Sequence, residues 1–251
     1  MSPGPILLAL SLTAAAALLA CDRGSSKPAG SKPAGGEPAG AEPAETRPSG
    51  TAPASKPPDA PAETQPALIV LGDSLTAGYG LPADQAYPAL LQAESDKADL
   101  HLRVVNAGRS GDTTAGGAAR VDYYLRPEVA PRALVIWLGA NDILRGLPVE
   151  EIEKNLRAIL EKARAFDAKL PVFLVQMRAF PNLGKDYGEA FEDIYPRVAK
   201  ETGAILIPFP MEGVAGDPAM NQPDGIHPTA EGTRKVAAAM WKALSEHLAA
   251  N

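Results

Sequence analysis

The sequence is poor in several features that commonly announce a function. It has one cysteine, Cys21, in 251 residues, so an intrachain disulfide is excluded and Cys/His zinc sites of the usual spacing are absent. Any chemistry must come from oxygen and nitrogen groups. Positive charge is also in deficit: 24 Lys and Arg stand against 30 Asp and Glu, a formal charge of -6, which leaves no broad basic surface for nucleic-acid phosphates. Aromatic residues make up only 5%, few for a site that stacks sugar rings. The N-terminal apolar run, Ile6 to Ala20, has 15 residues and falls short of the ~20 that span a bilayer as a helix.

That run reads as a secretory h-region. Leu18-Leu19-Ala20-Cys21 resembles the bacterial lipobox, whose cysteine becomes the lipid-modified N-terminus after cleavage. Residues 1–21 are therefore expected to be a lipoprotein-type signal peptide, with Cys21 the attachment site for a palmitate-type lipid. The leading "MSPGP" has no Lys or Arg, a departure from the positive n-region of export signals. Asp22 resembles an inner-membrane retention signal of enteric bacteria, and other bacterial groups sort differently. The expected location is the bacterial cell envelope, lipid-anchored and periplasm-facing, with the choice of membrane open. From Asp22 to Pro66 the chain carries ten prolines and no aromatic residue, which leaves nothing to bury against the entropy of ordering. Residues 22–66 are expected to form a disordered, extended tether.

From Ala67 onward short apolar runs alternate with helical periodicity. Strands are expected at Ala67 to Leu71, Leu102 to Asn106, Ala133 to Leu138, Val172 to Gln176 and Ile205 to Pro208. Helices fit at Tyr87 to Lys97, Thr114 to Leu125, Pro148 to Asp167, Tyr187 to Thr202 and Thr229 to Leu248. Near-continuous Val/Ile/Leu strands between helices indicate a parallel sheet covered on both faces. The expected fold of residues 67–251 is a three-layer α/β/α, flavodoxin-like, doubly wound sheet of five parallel strands. Ligands in such folds bind outside the carboxyl ends of the strands.

Those ends carry unusual residues: Gly72-Asp73-Ser74-Leu75 after the first strand, Asn106-Ala107-Gly108-Arg109-Ser110-Gly111-Asp112-Thr113 after the second, Gly139-Ala140-Asn141-Asp142 after the third, and "DGIHP", with Asp224 and His227, before the last helix. Each alone is an ordinary turn or cap. Together, in this order, the four blocks resemble the SGNH/GDSL hydrolase superfamily, whose blocks contribute a serine, a glycine, an asparagine and a histidine. The longer stretches "LGDSLTAGYG", "VVNAGRSGDTTAGG", "LGANDILRG", "AFEDIYPRVAKE" and "DGIHPTAEG" are similar to its bacterial periplasmic acyl-CoA thioesterase/lysophospholipase/arylesterase subgroup. The resemblance implies that Ser74 is the nucleophile, that Asp224 and His227 complete a triad, and that Ser74, Gly111 and Asn141 supply the oxyanion hole.

Elementary chemistry agrees with these roles. A serine hydroxyl needs an adjacent imidazole to take its proton. His101 begins the second strand at the opposite edge and His247 lies near the C-terminus, which leaves His227 as the base. Asp224, three residues before it, is spaced to hold the imidazole. Asp73 and Asp142 are read as structural caps where the chain leaves its strands. Gly-x-Ser-x-Gly is absent around Ser74, so the elbow of the α/β-hydrolases is not expected.

The cleft walls are expected in residues 143–148, 177–182 and 209–214, with Ile143, Leu144, Arg145, Met177 and Phe180 as substrate contacts. Apolar walls suit an acyl chain better than a sugar. The expected activity is hydrolysis of acyl esters, including aryl esters, lysophospholipids and acyl thioesters, with no metal and no cofactor. A carbohydrate or peptidoglycan O-acetylesterase is the alternative enzyme, and a non-catalytic envelope binding lipoprotein the alternative of another class. The expected partners are a small acyl ester or thioester and, through the anchor, a membrane; no nucleic acid is expected, and the protein is expected to be a monomer.

Overall fold

The computed structural model describes residues 65–249. The expected signal peptide, Cys21 and all but the last two residues of the expected tether lie outside them. Five strands form one sheet: β1 (Ala67–Gly72), β2 (Arg103–Gly108), β3 (Pro131–Trp137), β4 (Val172–Val175) and β5 (Ile205–Ile207). All neighbours are parallel, in the order β2-β1-β3-β4-β5. The helices in chain order are α1 (Ser74–Ala77), α2 (Tyr87–Lys97), α3 (Thr114–Arg120), α4 (Ala140–Leu144), α5 (Val149–Phe166), α6 (Lys185–Thr202) and α7 (Ala230–Ala249). Helices α2 and α7 pack together on one face of the sheet, and α5 packs between α3 and α6 on the other. This is the expected doubly wound, three-layer arrangement.

The central strands must be apolar at every position because both faces are covered. Every residue of β1 is buried. Helix α5 buries one stripe, Ile152, Leu156, Ile159, Leu160 and Ala163, the spacing of a single helical face.

Register brings the strand ends level. Gly72 pairs with Gly108 on one side and with Trp137 on the other. The chain moves outward from β1 to β2, then returns to place β3 on β1's other flank, so the direction in which strands are added reverses between β1 and β3. That reversal is where open α/β sheets form their ligand crevice, and it is where Ser74 and Asn141 emerge.

Two local departures from the sequence reading have physical causes. Strand β2 runs on to Gly108 because the β1 ladder continues to Gly72. The helix expected to reach Leu125 leaves α geometry at Arg120 and tightens into a 3₁₀ turn over Val121–Tyr123. Helix α6 runs through Pro196, whose missing N–H frees the carbonyl of Glu192. The Gln176 side-chain amide takes that carbonyl at 2.9 Å.

Candidate active site

Ser74 is the first residue of α1, a single turn set directly on the end of β1. The Asp73 carboxylate accepts the Leu75 N–H at 3.0 Å and caps that turn. His227 Nε2 lies 2.8 Å from Ser74 Oγ, and His227 Nδ1 lies 2.7 Å from Asp224 Oδ2. The other Asp224 oxygen accepts the backbone N–H groups of Ile226 at 2.9 Å and His227 at 3.0 Å. The His227 N–H, the imidazole and the Ile226 N–H together hold the Asp224 carboxyl down at about 2. Asp224 is therefore ionised wherever an imidazole titrates. An ionised acceptor at Nδ1 fixes the proton there, so Nε2 is left to accept from the serine.

The histidine loop is stapled to the rest of the site. The Gln222 N–H donates to His227 O at 2.7 Å, and its side-chain amide donates to Tyr79 O at 2.7 Å and Pro228 O at 2.9 Å. His101 pairs with Asp99 on the surface, and His247 on α7 lies against Phe173. Neither belongs to this cluster.

The loop after β2 is held in a comparable way. Arg120, reaching back from α3, donates to Asp112 Oδ2 at 2.6 Å, Ala107 O at 2.8 Å and Gly72 O at 2.9 Å. One guanidinium thus ties together the ends of β1 and β2 and the loop that contains Gly111. Gly111 has φ 79°, a left-handed conformation that L-residues with a side chain disfavour. The Asn141 amide donates to Asp112 O at 2.9 Å and to Asp73 Oδ2 at the longer distance of 3.3 Å. Asp142 does not cap its own strand exit. Its carboxylate accepts the Thr114 N–H at 2.9 Å and the Thr114 hydroxyl at 2.5 Å, which locks the start of α3 to α4. Burial raises the Asp142 carboxyl above its ordinary range, against the Thr114 hydrogen bonds.

A cleft of about 460 Å³ opens onto Ser74, Asn141 and His227. Leu144, Met177 and Phe180 line it as expected, and Phe209 and Met211 come from the loop after β5. Ile143 and Arg145 do not line it. Ile143 is 1% exposed and packs in the core, and the Arg145 guanidinium donates to Gly111 O at 2.7 Å. Gly111 also lies outside the lining. Among the described residues no group of three or more His, Cys, Asp or Glu could hold a metal ion, and no helix is long and apolar enough to cross a membrane.

A hydroxyl, an imidazole and a carboxylate in one hydrogen-bonded line, at the switch point of a parallel α/β sheet, define a serine-hydrolase type of site. Comparison with known proteins gives the particular lineage: residues 70–235 match the GDSL-like lipase/acylhydrolase family, and the chain belongs to it. It is 42% identical over 177 residues to Esterase TesA of Pseudomonas aeruginosa, covering 70% of this chain and 87% of that one. It is 44% identical over 177 residues to the Thioesterase 1/protease 1/lysophospholipase L1 of Escherichia coli, covering 70% and 82%. Among solved structures, TesA superposes with a TM-score of 0.68 at 40% identity, covering 72% of this chain and 98% of that one. The esterase EstA of a Pseudoalteromonas species, solved with monoethylphosphonate as inhibitor, gives a TM-score of 0.68 at 31% identity over 72% and 98%. By this membership the protein is an ester hydrolase.

Proposed function

We propose that the protein is a serine esterase and thioesterase of the bacterial envelope, acting on aryl esters, lysophospholipids and acyl thioesters through an acyl-enzyme. One observation carries this reading: the Asp224–His227–Ser74 line ends in a cleft whose walls are mainly apolar. The esterase, thioesterase and lysophospholipase names of the relatives support the same substrate class.

In the first half-reaction Ser74 Oγ attacks the acyl carbon while its proton passes to His227 Nε2. Asp224 stabilises the imidazolium without taking the proton. The developing oxyanion is met by the N–H groups of Ser74 and Gly111 and by the Asn141 amide, an arrangement in which each donor typically contributes ~10²- to 10³-fold in rate. Asn141 gives up its longer hydrogen bond, to Asp73, and keeps the one to Asp112. The imidazolium then protonates the leaving alcohol or thiol. In the second half-reaction water attacks the acyl-enzyme, gives its proton to His227, and the acid departs as Ser74 regains its proton.

The finer location rests on the sequence: residues 1–21 act as a lipoprotein signal peptide, Cys21 carries the lipid, and residues 22–66 tether a domain comprising residues 67–251. The Ser74–His227–Asp224 line is complete within one chain, so a monomer suffices for the proposed chemistry.

The test is hydrolysis of p-nitrophenyl esters from acetate to palmitate, with and without a serine-directed fluorophosphonate. Turnover that extends to medium or long chains, is blocked by the probe and is abolished in Ser74→Ala with an unchanged thermal melt is expected. Unaltered rates in Ser74→Ala would sink the assignment. Activity on acetate alone would point to a deacetylase, and no turnover with no labelling to a binding protein.

A further inference from the structure

Tyr79 stands out among the exposed side chains. It is 52% exposed, yet one face of its ring lies against His227, with centroids 4.5 Å apart and planes inclined by 37°. Its backbone joins the two halves of the site. The Tyr79 N–H donates to Ser74 O at 3.0 Å, and Tyr79 O accepts the Gln222 amide at 2.7 Å. Gly78 and Gly80 on either side have φ 78° and 74°. Two left-handed residues around Tyr79 make a tight corner that sets the direction of its Cα–Cβ bond.

We propose that Tyr79 is a positioning residue for catalysis: its π-face holds the His227 imidazole in line with Ser74 and stabilises the imidazolium formed in each half-reaction. The inference rests on the triad reading given above. When the proton moves from Ser74 Oγ to Nε2 the ring becomes a cation, and an aromatic face at this distance attracts a cation more strongly than a neutral ring. The attraction is therefore larger in the transition state than in the resting enzyme, the condition for raising kcat rather than lowering KM. Other groups acting on this imidazole are the Asp224 carboxylate at Nδ1, the Ser74 hydroxyl at Nε2 and the buried Asp73 carboxylate, whose charge couples to that of His227. The carboxylates act at the ring edge or from a distance, whereas Tyr79 acts on the face. It also covers that face against water, which would otherwise compete for the charge.

The experiment is a substitution series in the full chain, read as kcat and KM on one p-nitrophenyl ester, with Ser74→Ala as the inactive control. Tyr79→Phe should retain kcat, because the face is kept. Tyr79→Leu should lower kcat by about 2- to 30-fold, the range of an aromatic–cation contact, with KM little changed. Replacing Tyr79 by phenylalanines bearing one, two and three ring fluorines keeps the shape and drains the π-face, so kcat should fall stepwise with fluorine number. A flat fluorine series would overturn the proposal even if Tyr79→Leu is impaired, since a spacer would behave that way. Full kcat in Tyr79→Leu would overturn it as well. If Ser74→Ala remained active, the triad reading itself would fail, a result distinct from either.

Discussion

Asp73 is a buried carboxyl next to the nucleophile. It is 2% exposed, and burial pushes its carboxyl up to about 6, against the opposing pull of the Leu75 N–H and the charge of His227. A carboxyl raised above its unfolded value binds its proton more tightly in the native state. Its favourable contribution is complete below the unfolded value of 3.8 and is lost as pH rises through about 6. Asp73→Asn removes this titration, so the stability of the variant relative to the parent should improve between pH 4 and pH 7, by roughly 2–3 kcal/mol at most. Catalysis should suffer at the same time. The aspartate accepts from Leu75 with one oxygen and from Asn141 with the other. An asparagine offers one acceptor and one donor, so in either orientation a donor faces a donor. We expect kcat to fall about tenfold, because the clash displaces either the Leu75 N–H that caps the Ser74 turn or the Asn141 amide before it meets the oxyanion, a positioning loss of the order of one hydrogen bond. Melting curves at several pH values and kcat on a soluble ester check both statements, and parallel pH profiles for variant and parent would refute the first.

At the scale of elements, helix α6 holds a wall of the cleft. Pro196 frees the Glu192 carbonyl for Gln176, and the Glu192 carboxylate accepts the Ala179 N–H at 3.0 Å. Both bonds fix the loop after β4, which carries Met177 and Phe180 into the cleft. Glu192→Ala should raise KM for acyl esters about three- to tenfold while leaving kcat within about twofold, because it loosens a binding wall by one hydrogen bond and touches no reacting atom. An unchanged KM would show that the loop is held by packing alone. The sequence carried the five strands, the five long helices and the residues that converge on Ser74, because apolar periodicity and strand-end turns are local signals. The supports could not be read in the same way. Arg120 reaches Gly72 across 48 positions and Gln222 reaches Tyr79 across 143, contacts that exist only once the sheet has set its order. Helices α1 and α4 are single turns, too short for periodicity to register. Ile143 and Leu144 look alike as letters, yet one is core and the other is 51% exposed at the cleft; only the direction of α4 separates them.

At the scale of the whole molecule, the hydrogen-bonded groups of the site fall between Gly72 and Pro228, far along the chain from Cys21. Anchoring and catalysis should therefore be separable. If Cys21 is acylated, the full chain expressed in a bacterial host should enter the detergent phase of a Triton X-114 separation and resist extraction from membranes by alkaline carbonate. A single acyl chain gives only marginal membrane binding, so resistance to carbonate would further require more than one chain on the modified terminus. Cys21→Ala removes the attachment atom and leaves the apolar run Ile6 to Ala20 intact. That variant should move to the aqueous phase, or stay membrane-bound as an uncleaved precursor of higher mass, and the two fates are distinguished by its intact mass. In either case kcat on a soluble p-nitrophenyl ester should equal that of the parent, since Ser74, His227 and Asp224 are held by hydrogen bonds to one another. Hydrolysis of lysophospholipid presented in bilayers should drop if the variant is released, because the anchor no longer concentrates enzyme and substrate on one surface. A parent protein found entirely in the aqueous phase, with its terminus beyond Cys21, would assign the N-terminal segment to an ordinary cleaved signal and make the cysteine incidental.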